Sequence, residues 1–597
     1  MENLKKISFL LSREDRFRAI ILILMTLVMA LIDMLGVASI LPFVAVLANP
    51  EIIQTNNILS LVYQSVKNFG IENEQQFLIA MGIFVFLLLI ISISFKAVTT
   101  YIQIRYIKMC EHNISVRLIK GYLYQPYSWF LNRNSAILGK SILSEVSNVV
   151  GKGLLPMMNL ITNSFTTLAL FFLLIVVEPK LTFIAIITIS LFYGLVYKFN
   201  LNLLNNIGKE VFNANEERFK ISTEAFGGFK EMKVGSLEET YLNLFSKPSK
   251  IIAQNSGLWS VLNQIPRFTL EAVTFGGMLL IILFFMTITG DITKVLPIIT
   301  LYAFAGYRLM PALQKIYISF TSLRYVGPTL DSLYNDLKSL KPKIEKEYKD
   351  TLKLNKKICL KNIYYNYPNT SKTALKNINL DIPANKTIGL VGATGSGKTT
   401  TIDIILGLLE AQKGTLEVDG KVIDMNNKRA WQCSIGYVPQ QIFLSDNTVS
   451  ANIAFGVNIN DINQEAVEHA AKIANLNEFV INELPLKYQT IIGERGIRLS
   501  GGQRQRIGIA RALYHKPKVL ILDEATSALD NLTEKAVMNA VHNSKNNITK
   551  ILVAHRLSTV KNCDIIFLFD KGELKKQGNF EELIKISNDF RESAKNS

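Results

Sequence analysis

The chain has 597 residues, more than one ordinary domain takes, and 49% of them are hydrophobic. Its formal net charge of +17 would suit nucleic-acid binding. The apolar residues, however, stand in long blocks before about residue 325, and membrane proteins carry excess lysine and arginine on cytoplasmic loops. We therefore predict a membrane protein with no nucleic-acid partner. The four cysteines have no CxxC or zinc-site spacing and are expected to be free thiols.

Six apolar stretches are long enough to cross a bilayer, which takes about 20 residues of helix. They are Ala19–Ala48, Phe77–Phe95, Leu154–Val177, Leu181–Phe199, Phe268–Thr289 and Val295–Phe320. The second loop between them, Tyr101–Gly153, is long and holds seven lysines or arginines against two acids. Because positive charge favours the cytoplasmic side, the sequence predicts an all-helical membrane domain over residues 1–335 with both termini inside.

The second and fourth loops are long and keep helical patterns of mixed charge, so we expect helices that extend out of the membrane and turn back. Tyr124–Asn134 and Glu224–Lys233 are the candidates for a short element at each turn that touches a cytoplasmic domain. The alternative is a solvated helical hairpin. Residues 336–355 are rich in lysine and glutamate and are predicted to form an exposed linker. From residue 356 to 597, β-branched runs alternate with helical patterns, which indicates an α/β domain.

A glycine-rich motif opens this second domain. Gly392–Thr399 reads GATGSGKT, follows the strand-like run Thr387–Val391 and precedes the helical run Thr400–Leu408, as a phosphate-binding loop requires. Its glycines let backbone N–H groups turn toward phosphates, Lys398 supplies charge to the β- and γ-phosphates, and Thr399 offers a hydroxyl to Mg²⁺. The residues assigned to ATP are Gly392, Gly395, Ser396, Gly397, Lys398, Thr399 and Thr400.

Two acids end a buried strand further along the chain. Val519–Glu524 reads VLILDE. Asp523 is placed to hold Mg²⁺ through water, and Glu524 is then the candidate general base for an attacking water. Such an acid pair could be merely solvated, but a phosphate-binding loop in the same domain favours the catalytic interpretation.

Leu499–Gln503 reads LSGGQ, and with it residues 356–580 resemble the ATPase domain of ABC transporters. The resemblance implies that ATP bound by one domain is completed in trans by the signature of a second domain. That signature consists of Ser500, Gly501, Gly502 and Gln503. A dimer follows from this arrangement, with ATP and Mg²⁺ as its cofactors.

Other positions of the ABC family are present in this chain. The resemblance implies that Tyr367 stacks on adenine, that Gln440 senses Mg²⁺ and the attacking water, and that His555 contacts the γ-phosphate. Asp530 would contact the partner domain, and Glu494 lies in a loop that would meet the short turns of the membrane domain. Since none of these positions is degenerate, a homodimer with two competent sites is the simplest prediction.

The order of the two domains, membrane first and ATPase second, resembles ABC exporters of the type IV fold. Three cations lie in or at the edge of the cytoplasmic half of the membrane domain: Lys96, Arg267 and Arg308. Such residues are functional candidates, and a ring of cations suits a pyrophosphate. Alternatively, Lys96 and Arg267 could reach the headgroups, Glu271 could pair with Arg267, and Asp33 could neutralise Arg308.

Three segments look like the PglK-type flippases of lipid-linked oligosaccharides. They are Leu11–Asp15, Pro266–Glu271 and Tyr307–Pro311. That resemblance implies a bacterial inner-membrane flippase in which Arg267 and Arg308 line a cavity for the substrate's pyrophosphate. Lys96 departs from the family's arginine, so its role is less certain because lysine lacks the bidentate fork.

The same family places a short amphipathic helix outside the membrane, near the polyprenyl tail. Asn57–Phe69, with its apolar Ile58, Leu59, Leu61, Val62 and Val66, is the candidate. The rival functions are an exporter of other lipids, drugs or peptides, and an ATP-gated channel or regulatory subunit that does not pump. Intact Glu524 and His555 disfavour the channel, and the three cations disfavour an exporter of hydrophobic drugs.

Overall fold

The computed structural model describes residues 2–67, 73–289, 292–340, 351–368, 370, 373–493, 496–524, 531–543, 548–554 and 557–595. The chain divides into two compact units. The first contains Met1–Gln125 and Asn132–Lys343, and the second contains Pro126–Leu131 and Ile344–Ser597. All four cysteines are free, as predicted.

The first unit is built from helices. In chain order they are α1 (Glu2–Leu10), α2 (Arg13–Ala38), α3 (Ile40–Ala48), α4 (Ile52–Thr55), α5 (Asn57–Lys67), α6 (Glu74–Leu123), α8 (Ser135–Lys140), α9 (Val146–Val149), α10 (Leu155–Val177), α11 (Pro179–Gly227), α12 (Phe229–Val234), α13 (Glu238–Thr289), α14 (Ile292–Tyr325) and α15 (Gly327–Ser339), while α7 (Tyr127–Phe130) belongs to the second unit. Two π turns, Ser141–Glu145 and Val150–Leu154, flank α9.

Five helical stretches in the described residues are long and apolar enough to cross a membrane. They are Arg13–Ala48, Glu74–Leu123, Ser135–Val177, Pro179–Val196 and Leu296–Tyr325. Five of the six predicted crossings are thereby confirmed by length and composition. The remaining one, Phe268–Thr289, lies on α13 but is not among the five, so the sixth crossing stays a prediction.

The long loops turn through short helices, as the sequence predicted. α6 has 50 residues, about 75 Å at 1.5 Å per residue, so it must extend well beyond a hydrocarbon core of about 30 Å. Its end is followed by α7, which lies in the first candidate segment and belongs to the second unit. The other long loop turns at α12 within the first unit, where Phe226 and Val234 are exposed.

A buried ion network joins the helices of the two long loops. Lys140 is 1% exposed, and its Nζ lies 2.7 Å from Oε1 of Glu145 and 2.9 Å from Oε2 of Glu216 on α11. The hydroxyl of Ser332, on α15, donates to Glu145 Oε2 at 3.4 Å. Because breaking a buried pair leaves an uncompensated charge, this network fixes how α8, α11 and α15 pack together.

The second unit contains two sheets. Its strands are β1 (Lys357–Asn366), β2 (Thr373–Pro383), β3 (Thr387–Gly392), β4 (Lys413–Val418), β5 (Lys421–Val422), β6 (Ile435–Val438), β7 (Val519–Asp523), β8 (Thr549–Val553), β9 (Ile565–Asp570) and β10 (Glu573–Gly578). An antiparallel four-stranded sheet has the order β2-β1-β4-β5, and a six-stranded sheet has the order β10-β9-β3-β8-β7-β6.

The helices of the second unit surround these sheets. They are α16 (Lys398–Ile405), α17 (Lys428–Gln432), α18 (Val449–Ile453), α19 (Gln464–Ile473), α20 (Asn477–Asn482), α21 (Gly501–Tyr514), α22 (Asn531–Asn543), α23 (Leu557–Val560), α24 (Phe580–Ile586) and α25 (Asn588–Lys595). Strands β3, β8, β7 and β6 are parallel neighbours. Their carboxyl ends therefore meet at one sheet edge, where parallel sheets bind ligands.

Candidate functional site

The glycine-rich loop joins β3 to α16 at the carboxyl edge of the large sheet, as predicted. Gly392 has φ +153° and Gly397 has φ +104°, a region that L side chains rarely adopt. A Cβ on Gly392 would stand 2.2 Å from the carbonyl oxygen of Phe569 on the neighbouring strand β9. Only glycine fits there, so the loop can pack tightly on the sheet while its backbone N–H groups stay available at the start of α16.

Two side chains of this loop suit a polyphosphate. Ser396 is 3% exposed, and its hydroxyl has no hydrogen-bond partner among the described residues. Lys398 Nζ donates to the carbonyl oxygens of Gly392 at 2.7 Å and Ala393 at 3.0 Å. Burial lowers the pKa of Lys398, whereas the charges of Glu524 and Asp523 act to raise it. A buried donor and a buried cation at one loop match the chemistry of phosphate oxygens.

The two acids stand at the end of β7, two strands away from β3. Asp523 is buried, and Glu524 follows with φ +51°, an uncommon conformation for a non-glycine residue. Nε2 of Gln440, which lies just beyond β6, donates to Oε2 of Glu524 at 2.8 Å. This bond holds the carboxylate of Glu524 in one orientation, which a general base requires.

Tyr367 lies beside the first turns of α16. Its hydroxyl is 3.1 Å from Oγ1 of Thr400, and its ring packs edge-on against Tyr365 at 5.2 Å. The aromatic side chain is thus held next to the phosphate-binding helix. Its stacking on adenine remains a prediction, and so do the roles of Gly395 and Thr399, which lie on the same loop and helix.

The signature motif begins α21. Ser500 Oγ accepts from the backbone N–H of Gln503 at 3.2 Å, and Gln503 Oε1 accepts from the backbone N–H of Ser500 at 2.8 Å. This capping box fixes the helix start and places Gly501 and Gly502 in its first turn. α21 packs against β6, α18 and α19. Glu494, Asp530 and His555 lie outside the described residues.

One acid near the site was not identified from the sequence. Asp403, on α16, has its pKa raised to about 6, mainly by burial and also by the charge of Asp523. It also interacts electrostatically with Tyr437 and with Tyr127 of α7. The only sequence signal was an acid within the apolar run that follows the glycine-rich loop.

Two of the three predicted membrane cations meet around one acid. Arg308 Nη1 lies 3.1 Å from Oδ1 of Asp33, whose other partner is the Ser92 hydroxyl, which donates to Oδ1 at 3.0 Å. Lys96 interacts electrostatically with Asp33, with Arg308 and with a further cation, Lys315, which sequence analysis missed. The structure thus shows that Asp33 pairs with Arg308, and that Lys96 lies within electrostatic range of this pair and of Lys315.

Arg267, the third predicted cation, pairs with an acid of its own helix instead. Its Nε lies 2.8 Å from Oε1 of Glu271, one turn along α13, and its side chain is 55% exposed. The pairing considered from the sequence is therefore present. Contacts in the described residues do not bring Arg267 to the cluster of Lys96, Arg308 and Lys315.

Comparisons with known proteins find a matching family for each of the two units. Residues 375–527 match the ABC transporter family, and residues 53–312 match the ABC transporter transmembrane region. The chain is 31% identical over 491 residues to the ATP-dependent lipid A-core flippase of Wigglesworthia glossinidia brevipalpis, covering 79% of this chain and 81% of that protein. It is 29% identical over 479 residues to the protein of the same name from Saccharophagus degradans, covering 80% of each.

The fold is also that of a solved exporter. The structure of a bacterial Atm1-family ABC exporter with ATP bound superimposes with a TM-score of 0.77 at 19% identity, and the match covers 98% of both chains. The chain therefore belongs to the ABC transporter family, as a half-size exporter that joins a helical membrane domain to an ATPase domain and couples ATP hydrolysis to transport.

Proposed function

We propose that this exporter moves a polyprenyl-diphosphate-linked oligosaccharide from the cytoplasmic to the outer leaflet of a bacterial inner membrane. The observation that carries the proposal is the cluster of Lys96, Arg308, Lys315 and Asp33, in which Arg308 pairs with Asp33 and Lys96 lies within electrostatic range of the other three residues. Three cations and one carboxylate leave an excess of two positive charges. Such an excess in a membrane domain is costly unless a substrate supplies negative charge, as a pyrophosphate does. Arg308 adds a fork that fits phosphate oxygens.

A lipid tail is supported by α5, the predicted external helix. One side of α5 is anchored, because Leu59 packs in a cluster with Val46, Ile53 and Phe77. Another side leaves apolar residues open: Ile58 is 73% exposed and Leu61 is 65% exposed. An amphipathic helix held in this way offers an apolar surface beside the membrane domain, where a polyprenyl chain could pass.

In the proposed cycle, two identical chains close on two ATP molecules. Ser500 of the second copy would complete each site, and Thr399 and Asp523 would hold Mg²⁺. Glu524 then accepts a proton from the attacking water. We further propose that residues 1–335, 336–355 and 356–597 are membrane domain, linker and ATPase domain, with both termini cytoplasmic, and that α7 and α12 transmit the closure.

The main alternative is an exporter of another lipid, which the names of the two lipid A-core flippases favour. Drugs and peptides fit less well, because neither class needs the concentrated positive charge found next to Asp33.

The test is the ATPase activity of the purified protein in nanodiscs, with and without a polyprenyl-diphosphate oligosaccharide. Wild type is compared with Lys315→Met, which removes one cluster cation, and with Arg267→Met, which removes a cation outside the cluster. Arg308→Ala alone would strand Asp33, so the double variant Asp33→Asn with Arg308→Met is the cleaner probe of that pair.

We expect the lipid to stimulate wild type and Arg267→Met, and to stimulate Lys315→Met and the double variant several-fold less. High ATPase activity that this lipid does not change in any of these proteins would reject the proposed substrate. Lipid A in the same assay then decides whether another lipid is the substrate.

A further inference from the structure

A cavity of about 180 Å³ lies inside the first unit, apart from both sites described above. The second π turn, α11, α13 and the junction of α14 with α15 line it. Gly208 of α11 allows a close backbone contact there, since a Cβ on it would stand 2.2 Å from the carbonyl oxygen of Tyr325. Lys152 of the second π turn also lines this cavity, and π turns inside helices frequently mark functional sites.

A lysine lines this cavity without an acidic partner. Nζ of Lys152, in the second π turn, lies 4.5 Å from the ring centre of Tyr325 and 5.0 Å from that of Trp259. Among the described residues no acid acts on its charge. Lys140, twelve residues earlier, has two carboxylates instead. Aromatic faces stabilise a cation only partly, so the charge of Lys152 remains available to an anion.

A donor without a partner lies beside the cavity. Nε1 of Trp259, whose ring packs 5.0 Å from that of Tyr325, is buried without a hydrogen bond in the described part of the chain. The Tyr325 hydroxyl has Ser256 as its neighbour, and both residues line the cavity. Arg218 of α11 lines the same space and donates one hydrogen bond to Asn215 at 2.8 Å. Buried polar groups ordinarily find a partner in protein, water or ligand.

The single acid of the lining does not offset these cations. Glu145 already has Lys140 2.7 Å from its Oε1, and its Oε2 accepts from the hydroxyls of Ser141 and Ser332. Lys152 and Arg218 therefore leave the cavity positive. Two cations and the Tyr325 hydroxyl that line one space, with the Trp259 donor beside it, select an anion with several acceptor oxygens.

We propose that this cavity binds a phosphate group, with Lys152 and Arg218 providing charge and Trp259 Nε1 and the Tyr325 hydroxyl donating hydrogen bonds. The cavity volume is well above the roughly 10–15 Å³ that a single water needs, which leaves room for a phosphate. Lys152 stands three residues before α10, about 5 Å along the helix from its apolar crossing. The phosphate can therefore be that of a lipid headgroup or of a soluble compound.

The test uses the full-length protein in phosphatidylcholine nanodiscs, with saturating Mg-ADP to occupy the ATP site. Inorganic phosphate is titrated, and both the unfolding temperature and tryptophan emission are followed. Lys152→Met is compared with Lys209→Met, the same change at an exposed lysine on α11. Trp259→Phe keeps the aromatic wall and removes one donor. A second arm replaces free phosphate by phosphatidic acid in the nanodisc.

We expect phosphate to raise the unfolding temperature of wild type and Lys209→Met with half-saturation below about 1 mM. Lys152→Met should need at least tenfold more phosphate, Trp259→Phe should need several-fold more, and the emission change should vanish in Trp259→Phe. A response to phosphatidic acid alone, lost in Lys152→Met, assigns the site to a lipid headgroup. Equal responses of wild type and Lys152→Met in both arms overturn the proposal; if Lys152→Met does not fold, equal responses of wild type and Trp259→Phe overturn it.

Discussion

The ATPase site and the cation cluster of the membrane domain are assembled in different ways. At the sheet edge, Lys398 and Glu524 each belong to a contiguous motif, and parallel strands bring the motifs together. In the membrane domain, Asp33, Lys96 and Arg308 come from three helices far apart in the sequence, and packing alone makes them meet. Functional residues that belong to one contiguous loop motif can therefore be identified from the sequence. Functional residues on separate helix faces cannot, because only the fold brings them together.

The largest expected effect concerns the ATPase site. Glu524→Gln keeps the shape of the side chain but removes the proposed base, so phosphate release should fall by about 100-fold to 10,000-fold while ATP binding persists. Glu573→Gln is the control, because this acid pairs with Lys575 on β10, in the same unit. ATP hydrolysis and nucleotide binding are measured on the same preparations. A Glu524→Gln protein with more than a tenth of wild-type hydrolysis would show that another group is the base.

The second-largest expected effect concerns the pair of Arg308 and Asp33 in the membrane domain. Arg308→Met leaves Asp33, which is 2% exposed, without its cation and should cost about 3 kcal/mol of stability. Adding Asp33→Asn should restore most of that loss. Arg267→Met removes an exposed pair instead and should cost about 0–1 kcal/mol.

Thermal unfolding of the four proteins in detergent measures this contrast. Equal losses for Arg308→Met and Arg267→Met would mean that Asp33 is hydrated and that the cluster is no tighter than a surface pair.

Much of the fold was predictable because its signals are local. The glycine-rich loop, the buried strand before Glu524 and the apolar helices each rest on consecutive residues or on one periodicity. The bond from Gln440 to Glu524 was not predictable, because it needs β6 beside β7 in the sheet. Lys315 was missed because counting residues gives depth in the membrane but not the direction a helix face points. Lys152 was counted only as one basic residue of the second loop, because its aromatic neighbours Trp259 and Tyr325 are far away in the sequence and only the fold brings them together.

A smaller effect asks how tightly the helices of the membrane domain pack. Gly208→Ala would force a Cβ against the Tyr325 carbonyl at 2.2 Å, so α11 and α14 must separate, at a cost of about 1–3 kcal/mol. Gly194→Ala lies on the same helix with no atom within 4 Å of the added Cβ. It should be neutral or stabilising, since alanine favours helix by about 1 kcal/mol. Equal unfolding temperatures for the two variants would mean that α11 and α14 can separate without a loss of stability.

The smallest effect is a pH dependence at the ATPase site. Burial, with help from Asp523, raises the pKa of Asp403 to about 6, and the tyrosines at 127, 365 and 437 also face it. A raised pKa means that the folded protein carries no penalty below about pH 3.8, that the penalty grows as pH rises from there toward about 6, and that it is complete above that pH. Asp403→Asn should therefore stabilise the nucleotide-free ATPase domain by about 1 kcal/mol above pH 7, after discounting for partial solvent access, and by less at pH 5.

Asp381→Asn should change the stability of the domain in the opposite direction. The Cys359 hydrogen bond, followed by that of Lys357, holds the pKa of Asp381 below its usual value, so its removal should slightly destabilise the domain at neutral pH. Unfolding temperatures of wild type and both variants from pH 5 to pH 8 separate the two cases. A stabilisation by Asp403→Asn that stays constant over this range would assign it to helix propensity in α16, because only a titrating carboxylate makes the difference between the two proteins grow with pH.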